Sequence, residues 1–229
     1  MGMFWFIVGA IVVVAIVSAV WNNVQEGKRT RAWQEVSQQL GVTFQGTQND
    51  VLHRYGRLQQ FQLGSGQAVS NVLLADSGEI AIVLGDLRYT TGSGKSRQTH
   101  HRTVCVLESG TLQMPHCSLR PQRRLWDALG SLFGGQDIDF AEDPQFSRAY
   151  VLQGPDEAAI RAVFAPEVRA WFAERAGAGF HFEAQDHVLV FHLGQRLPPQ
   201  QAPELMAQAL QILQLLRGAG NVPRTEGTA

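Results

Sequence analysis

The sequence predicts an α+β fold: one N-terminal transmembrane helix, followed by a domain of antiparallel sheet plus a strand, a helix pair, a hairpin and a C-terminal helix. Three observations predict this fold. Residues 3–21 carry no charge. The first part of the remaining chain shows short strand-like runs between turns rich in glycine and serine. The second part shows apolar residues at helical spacing.

The uncharged run extends from Met3 to Trp21, nineteen residues in all. A helix of about 20 residues at about 1.5 Å each spans the roughly 30 Å hydrocarbon core of a bilayer. It also satisfies its own backbone polar groups, as lipid requires. Trp5 and Trp21 lie near the two ends of the run, and tryptophan is enriched at both membrane interfaces. We therefore predict a transmembrane anchor over residues 1–23.

Two other interpretations of this run agree less well with the sequence. A cleaved secretory signal is the first, because Val17-Ser18-Ala19 resembles a cleavage site. A signal peptide has a basic leading region and a shorter apolar run, however, and only Met1 and Gly2 precede this one. A buried core helix is the second interpretation, but the run is apolar on all sides and lies at the N-terminus of the sequence.

Basic residues follow the apolar run and do not precede it. Lys28, Arg29 and Arg31 lie within ten residues of its end, and positive charge stays on the cytoplasmic side of a membrane. We therefore predict a single-pass protein of the bacterial inner membrane whose C-terminal domain is cytoplasmic. Residues 24–41 are predicted to form a juxtamembrane helix that ends at Gly41.

Charge and cysteine content narrow the range of partners. The chain has 19 basic and 20 acidic residues, whereas a protein dedicated to nucleic acid normally shows a basic excess. No nucleic-acid partner is therefore predicted. Of the two cysteines, Cys105 lies in an apolar run, where a thiol behaves as a small buried hydrophobe. A cytoplasmic location would keep both Cys105 and Cys117 reduced.

The first half of the domain, residues 42–134, contains closely spaced strand-like runs. Glycine- and serine-containing turns separate them, which predicts an antiparallel meander. The predicted strands cover residues 42–45, 58–63, 69–75, 79–89, 99–108 and 111–119.

The second half, residues 135–218, mixes strand and helix patterns. A helix over residues 121–133 leads into it, and a strand is predicted over residues 147–153. Pro155 and Pro166 each suit the first position of a helix, where the missing N–H of proline costs nothing. A helix pair is therefore predicted after that strand.

A hairpin and a helix complete the predicted domain. The hairpin places Phe180 and Phe182 on the same side as two residues of its second strand, Leu189 and Phe191. The last helix runs from about residue 199 to residue 217, because apolar residues recur there at helical spacing. Residues 219–229 are predicted to be a disordered tail.

A glycine-rich segment, Thr90-Thr91-Gly92-Ser93-Gly94-Lys95-Ser96, ends like a phosphate-binding loop. That motif needs a glycine five residues before Gly94, where this chain has Tyr89, and a helix that follows the loop. Here a strand pattern follows. We therefore predict a hairpin tip whose Lys95 and Arg97 are placed to contact anionic lipid or an acidic partner.

No metal, cofactor or catalytic site is predicted. His100-His101 and His116-Cys117 are adjacent pairs on strands. Adjacent strand residues point to opposite faces, so neither pair readily supplies two ligands to one metal. No serine or cysteine lies in a nucleophile elbow. The acidic residues of the 137–143 linker lack the glycine and terminal glutamate of a calcium loop.

Two segments carry a family resemblance: RYTTGSGKS at residues 88–96 and DFAEDPQFSRAYVLQGPDE at residues 139–157. In these segments the chain resembles a family of uncharacterised bacterial proteins with one N-terminal transmembrane helix. The resemblance extends over most of the chain and implies no activity. One departure is Leu87, which stands where the family tends to have an aromatic residue; this affects packing.

Two classes of function are compatible with these predictions. The first is a cytoplasm-facing binding or scaffold module for a protein partner or lipid headgroups, which would use the contact residues Lys28, Arg29, Arg31, Lys95 and Arg97. Each such charge near an anionic surface contributes about 1 kcal/mol. The second is a membrane-attached enzyme whose site is assembled in space from separated polar residues. Its candidate residues are Asp139, Arg148, Tyr150 and Lys95.

Overall fold

The computed structural model describes residues 2–122 and 137–220, with side chains described for residues 17, 18, 20–122 and 137–218. The fold is α+β, as predicted: a long N-terminal helix, one antiparallel sheet of eight strands, and shorter helices that pack on it. The strands are β1 (Thr43–Gly46), β2 (Ser65–Asp76), β3 (Ala81–Thr91), β4 (Gln98–Glu108), β5 (Met114–Pro121), β6 (Tyr150–Gln153), β7 (His181–Asp186) and β8 (Val188–His192).

The helices lie before, between and after the strands. They are α1 (Gly2–Leu40), α2 (Asp50–Arg54), α3 (Pro144–Ala149), α4 (Glu157–Val163), α5 (Pro166–Ala173) and α6 (Ala202–Gly220). α1 runs without a break through both the predicted anchor and the predicted juxtamembrane helix. It ends before Gly41, whose φ of 66° is the left-handed conformation that favours glycine after a helix.

The sheet has the strand order β1-β2-β3-β4-β8-β7-β5-β6. The first four strands form an antiparallel meander, which confirms the predicted meander except for its strands over residues 58–63 and 111–119. The β7–β8 hairpin then occupies the position beside β4, where Val104 lies opposite His192. β5 consequently pairs with β7 and β6 and not with β4. Strands from both halves of the sequence therefore share one sheet.

Each face of the sheet carries its own hydrophobic cluster. On one face, the C-terminal part of α1 packs together with α4, α5 and α6 over a large core that includes Trp33, Phe172 and Phe191. Phe180, Phe182, Leu189 and Phe191 belong to this core, as the hairpin pattern predicted. On the other face, α2 and the 3₁₀ turn Gln59–Phe61 cover a smaller cluster of valines and leucines.

The predicted strand over residues 58–63 is wrong, because this segment contains the 3₁₀ turn Gln59–Phe61. Leu58 and Phe61 are both buried and lie three residues apart, the spacing of a 3₁₀ turn. The consecutive backbone N–H groups of Gln59 and Gln60 both bond to the carboxylate of Glu183. In a strand, consecutive N–H groups point to opposite sides.

The predicted strand over residues 147–153 is only partly right. Asp143 caps the N-terminus of α3, and its carboxylate accepts a hydrogen bond from the Phe146 N–H at 3.1 Å. Pro144 occupies the first turn, where proline is favoured. The strand β6 therefore begins only at Tyr150. Similarly, α4 begins two residues after Pro155, with Asp156 as its N-cap.

Some predictions fall on parts of the chain that the structure does not describe. The predicted helix over residues 121–133 lies mostly outside the described residues, and Pro121 itself ends β5. The tail beyond residue 220 also lies outside them. The predicted span falls mostly on residues whose side chains are not described.

Among the residues that the structure describes, no helix is long and apolar enough to cross a membrane.

Candidate functional site

A buried carboxylate holds α1 against the sheet. Asp86 of β3 is 2 % exposed, and the guanidinium of Arg29 donates two hydrogen bonds of 2.7 Å to its two oxygens. The indole N–H of Trp33 also donates to Asp86, at 3.2 Å. Burial alone raises the pKa of the Asp86 carboxyl. The hydrogen bonds and charge of Arg29 outweigh burial, however, and the pKa lies below its usual range.

The sheet supplies the other partners of Asp86. The amide of Asn71 donates to it at 3.1 Å, and the hydroxyl of Thr103 donates at 3.0 Å. Asn71 lies at an irregularity of β2 with a φ of 54°, a left-handed conformation that asparagine tolerates better than most residues. Its amide oxygen accepts a hydrogen bond from Thr30 of α1 at 2.9 Å. Asn71 thereby joins the helix to the sheet.

A second ion pair fastens α1 nearer to the predicted span. Arg196 donates two hydrogen bonds of 2.6 Å to the carboxylate of Glu26 and lies 3.5 Å from Asp86. The hydrogen bond from Arg196 lowers the pKa of Glu26. Because Glu26 is half exposed, this pair contributes less to stability than the buried pair of Arg29 and Asp86. Two turns of α1 are nevertheless tied to the sheet.

An open cavity of ≈ 650 Å³ lies between this part of α1 and the sheet. Asn22, Gln25 and Glu26 line it from the helix, and Arg88 and His101 line it from β3 and β4. Burial, and then the charge of Arg196, lower the pKa of His101. Further hydroxyl groups come from Thr47, Ser70 and Thr99. The cavity therefore offers amide, hydroxyl, guanidinium and carboxylate groups, which suit a polar, hydrogen-bonding ligand.

The β3–β4 hairpin tip points in the direction of the N-terminal half of α1. From Asp86 to Thr91, β3 advances about 16 Å, the length of about eleven helical residues. Arg88 lines the cavity together with Asn22, so β3 and α1 run in opposite directions there. For a helix that continues alongside β3, this length counted back from Arg29 reaches about residue 18, near the end of the predicted span.

The tip is a tight turn, as predicted, and a strand follows it. Gly94–Ser96 forms one 3₁₀ turn, in which Ser93 and Ser96 bond to each other's backbone groups. Gly92 has a φ of 73°, and a Cβ there would overlap the carbonyl oxygen of Ser96. The helix that a phosphate-binding loop requires is replaced by β4.

The structure divides the predicted contact residues into two groups. Lys28 and Arg31 on α1, and Lys95 and Arg97 at the tip, have exposed side chains. Arg29 differs: its side chain is 13 % exposed and pairs with Asp86. Its guanidinium therefore binds the protein's own carboxylate in place of a headgroup.

The polar residues of the predicted enzyme site are not gathered at one place. Arg148 and Asp139 are exposed, whereas Tyr150 is buried and its hydroxyl donates to the carbonyl of Arg175. Burial raises the pKa of Tyr150. Tyr150 lies on β6, four strands from β4 and the Lys95 tip, a separation of about 19 Å.

Sequence reasoning missed Asp86, Asn71 and Arg196. One signal was available for Asp86, since an acidic residue inside the apolar strand pattern of residues 80–87 is costly to bury without a partner. Its partners lie 57 and 110 residues away in sequence, which no local pattern reveals. Among the described residues, no group of three histidine, cysteine, aspartate or glutamate side chains could hold a metal ion.

The fold and this site define an α+β domain carried on one long N-terminal helix that is fastened to the sheet by ion pairs. No family model and no curated protein matches the sequence. Among solved structures, the fold is similar to that of TtfA, the mycobacterial trehalose monomycolate transport factor A. The TM-score is 0.58 at 10 % identity, over 84 % of this chain and 94 % of TtfA. The two proteins share a fold.

Proposed function

We propose that this protein is a membrane-anchored binding module whose cavity beside α1 receives the polar headgroup of a membrane lipid. One observation carries the proposal: the cavity is lined by Asn22, Gln25 and Glu26, which directly follow the predicted span. The polar layer on each side of a bilayer is about 5–8 Å thick, or about three to five residues of helix. These three residues fall within that layer.

The exposed side chains of α1 agree with this placement. Val17, Val20, Trp21 and Val24 are large apolar residues that are 49–64 % exposed. Such a patch is favourable against lipid and unfavourable against water. The lipid surface would then cover the apolar part of α1 and stop near the polar rim of the cavity.

The hairpin tip adds a second contact with the same surface. By the length of β3, Lys95 and Arg97 lie at about the level of the end of the predicted span, and both are exposed. Each contributes about 1 kcal/mol toward an anionic surface. Lys28 and Arg31, exposed on α1, extend this basic surface away from the bilayer. Their position after the span supports a cytoplasmic C-terminal domain in a bacterial inner membrane.

The likeness to TtfA favours a lipid ligand over a soluble one. TtfA is a transport factor for trehalose monomycolate, which is a glycolipid. A shared fold does not transfer that substrate. It makes a role in handling an envelope lipid the first hypothesis to test for this chain.

The test compares two tryptophan substitutions on neighbouring residues of β4. Thr99 lines the cavity beside α1, whereas Gln98 lines a separate cavity on the opposite face of the sheet. Thr99→Trp fills the cavity, whereas Gln98→Trp is the matched control. The full-length protein is reconstituted in nanodiscs of phosphatidylglycerol or phosphatidylcholine, extracted in mild detergent, and examined by native mass spectrometry.

We expect the unaltered protein and Gln98→Trp to retain bound lipid and Thr99→Trp to lose it. Equal lipid retention by both variants would contradict the proposal. A stoichiometric protein that copurifies from native membranes, with no retained lipid, would favour a scaffold for a protein partner instead. A reporter fused after Ala229 tests the topology, because the proposal requires it to be active in the cytoplasm.

The hairpin tip is tested separately on anionic liposomes, with a form of the protein that begins at residue 22. Lys95→Ala combined with Arg97→Ala removes two charges, about 2 kcal/mol, which corresponds to a roughly 30-fold weaker association at low salt. Arg148→Ala, which removes an exposed charge of α3, is the control for charge in general. Unchanged association of the double variant would exclude the tip from the membrane contact.

A further inference from the structure

A second cavity lies on the opposite face of the sheet from α1. Its volume is ≈ 320 Å³, near the lower end of the range for small-molecule sites. Adjacent residues of one strand separate the two cavities: His100 and Arg102 line the second cavity, whereas His101 lines the first. The second cavity therefore faces neither α1 nor the proposed headgroup site.

A buried glutamate and the 3₁₀ turn Gln59–Phe61 form one wall of this cavity. Glu183 of β7 is 0 % exposed. Its carboxylate accepts hydrogen bonds from the backbone N–H groups of Gln59, at 2.6 Å, and Gln60, at 3.0 Å. His116 lies 3.6 Å from the same carboxylate. Burial raises the pKa of Glu183, while these partners oppose the rise. The turn is thereby held over the sheet.

The side chain of Gln60 holds the guanidinium of Arg102 in place. Its amide oxygen accepts hydrogen bonds from Arg102, at 2.9 Å, and from Nε2 of His192, at 3.0 Å. Nδ1 of His192 accepts from the Gly194 N–H at 2.9 Å, so Nε2 carries the proton of a neutral ring. Burial, with the charges of His181 and Arg102, lowers the pKa of His192 well below its usual value, which agrees with a neutral ring.

Basic and aromatic groups dominate the rest of the lining. Arg102 and Arg120 both line the cavity, and the Arg102 guanidinium lies 5.0 Å from the centre of the Tyr89 ring. Tyr89 stacks on His100 with ring centres 4.9 Å apart. Among the described residues of the lining, the one carboxylate is that of Glu183, which accepts two backbone hydrogen bonds. The described lining thus combines two arginines with aromatic, apolar and neutral polar side chains.

We propose that this second cavity binds a small organic anion. Arg102 and Arg120 hold its carboxylate or phosphate group, since guanidinium groups match these anions in charge and geometry. The apolar part of the anion lies against Leu63 and the Tyr89 ring, which also line the cavity. The volume of ≈ 320 Å³ suits a single-ring ligand. This inference is independent of the proposed headgroup site.

The experiment measures the binding of two probes, benzoate and phenyl phosphate, to the full-length protein in non-ionic detergent. Benzyl alcohol serves as the neutral analogue, and saturation-transfer NMR titration gives the dissociation constants. Arg102→Gln and Arg120→Gln each remove one charge from the cavity. Arg57→Gln is the matched control, because Arg57 is an exposed arginine that pairs with Asp186 and precedes the same 3₁₀ turn.

We expect saturable binding of at least one anion, with an affinity at least tenfold lower in Arg102→Gln and in Arg120→Gln and unchanged in Arg57→Gln. Because Arg102 also supports Gln60, Arg120→Gln guards against a loss of binding that comes only from a disturbed fold. Saturable binding of neither anion would overturn the proposal. It would also be overturned by equal affinity for benzyl alcohol, or by unchanged affinity in both cavity variants. Lipid retention by these variants separates this site from the first.

Discussion

Replacing Arg29 with alanine tests whether a buried ion pair holds α1 on the domain. The substitution leaves Asp86, 2 % exposed, without the two hydrogen bonds of 2.7 Å that the guanidinium donates. Removing one partner of a buried pair costs about 3–5 kcal/mol, because the remaining charge stays buried. Arg196 remains 3.5 Å from Asp86 and offsets part of this loss, so we expect a destabilisation of about 3 kcal/mol.

That loss is large enough to measure. In a domain of this size, 1 kcal/mol shifts the melting temperature by about 2–4 °C, so Arg29→Ala should melt about 6–12 °C lower. Thermal unfolding of the full-length protein in detergent measures this shift. Hydrogen exchange shows which part of the protein is destabilised. The amides of α1 over residues 24–40 should exchange faster, while those of β3 and β4 change less, because the helix detaches before the sheet unfolds.

A control and a double-mutant cycle complete this experiment. Arg31→Ala is the control, because Arg31 lies on the exposed side of the same helix. It should change the free energy of unfolding by no more than about 0.5 kcal/mol. Asp86→Ala combined with Arg29→Ala should be less destabilised than the sum of the single variants, since the two side chains interact directly. A melting temperature of Arg29→Ala within about 2 °C of the unaltered protein, with unchanged exchange in α1, would refute this account.

Three further predictions concern pH, the core and the thiols. The folded pKa of Asp86 lies below its unfolded value of about 3.9, so its stabilisation of the helix is present above that pH and is lost as the pH falls through the folded pKa. Acid titration followed by hydrogen exchange should show this loss, and Asp86→Asn should abolish the step. Phe172→Ala should cost about 3–5 kcal/mol in chemical denaturation, because Phe172 is fully buried among aromatic rings; a cost below about 1 kcal/mol would contradict that packing. Burial raises the pKa of Cys105 to about 12 and also raises that of Cys117. Ellman's reagent at pH 8 should therefore label neither thiol until the protein unfolds, and labelling of the native protein would contradict their burial.

Local patterns were sufficient for most of the strands and for the last helix. Short turns join β2, β3 and β4, and apolar residues alternate along them, so these partners are neighbours in sequence and their register follows from the pattern. The apolar stripe of α6 is buried as its spacing predicted, at Leu205, Ala209, Ile212, Leu213 and Leu216. Local patterns failed at residues 58–63, where one short apolar run suits both a strand and a turn. There the hydrogen bonds that the backbone N–H groups of Gln59 and Gln60 donate to Glu183, more than 120 residues away, favour the turn.

The candidate sites depended far more on tertiary structure. The basic hairpin tip with Lys95 and Arg97 could be predicted from the sequence, because it is a contiguous segment between two strands. The second cavity was not, since its lining comes from β3, β4, β5, β7 and a 3₁₀ turn. Arg102 and Arg120 line one cavity because the β7–β8 hairpin lies between β4 and β5 and joins both strands to one sheet.

The sequence by itself determined the class of the fold, the long apolar N-terminal run, most strands and the exposed basic residues. These properties depend on composition and on periodicities of two or 3.6 residues, which act within a few residues of each other. Only the tertiary structure decided that Arg29 pairs with Asp86, that the hairpin separates β4 from β5, and that polar side chains line two opposite cavities. The physical reason is that a buried charge or backbone group loses its hydrogen bonds to water and must regain them from other groups of the protein. Those groups are distant in sequence, so local patterns do not reveal them.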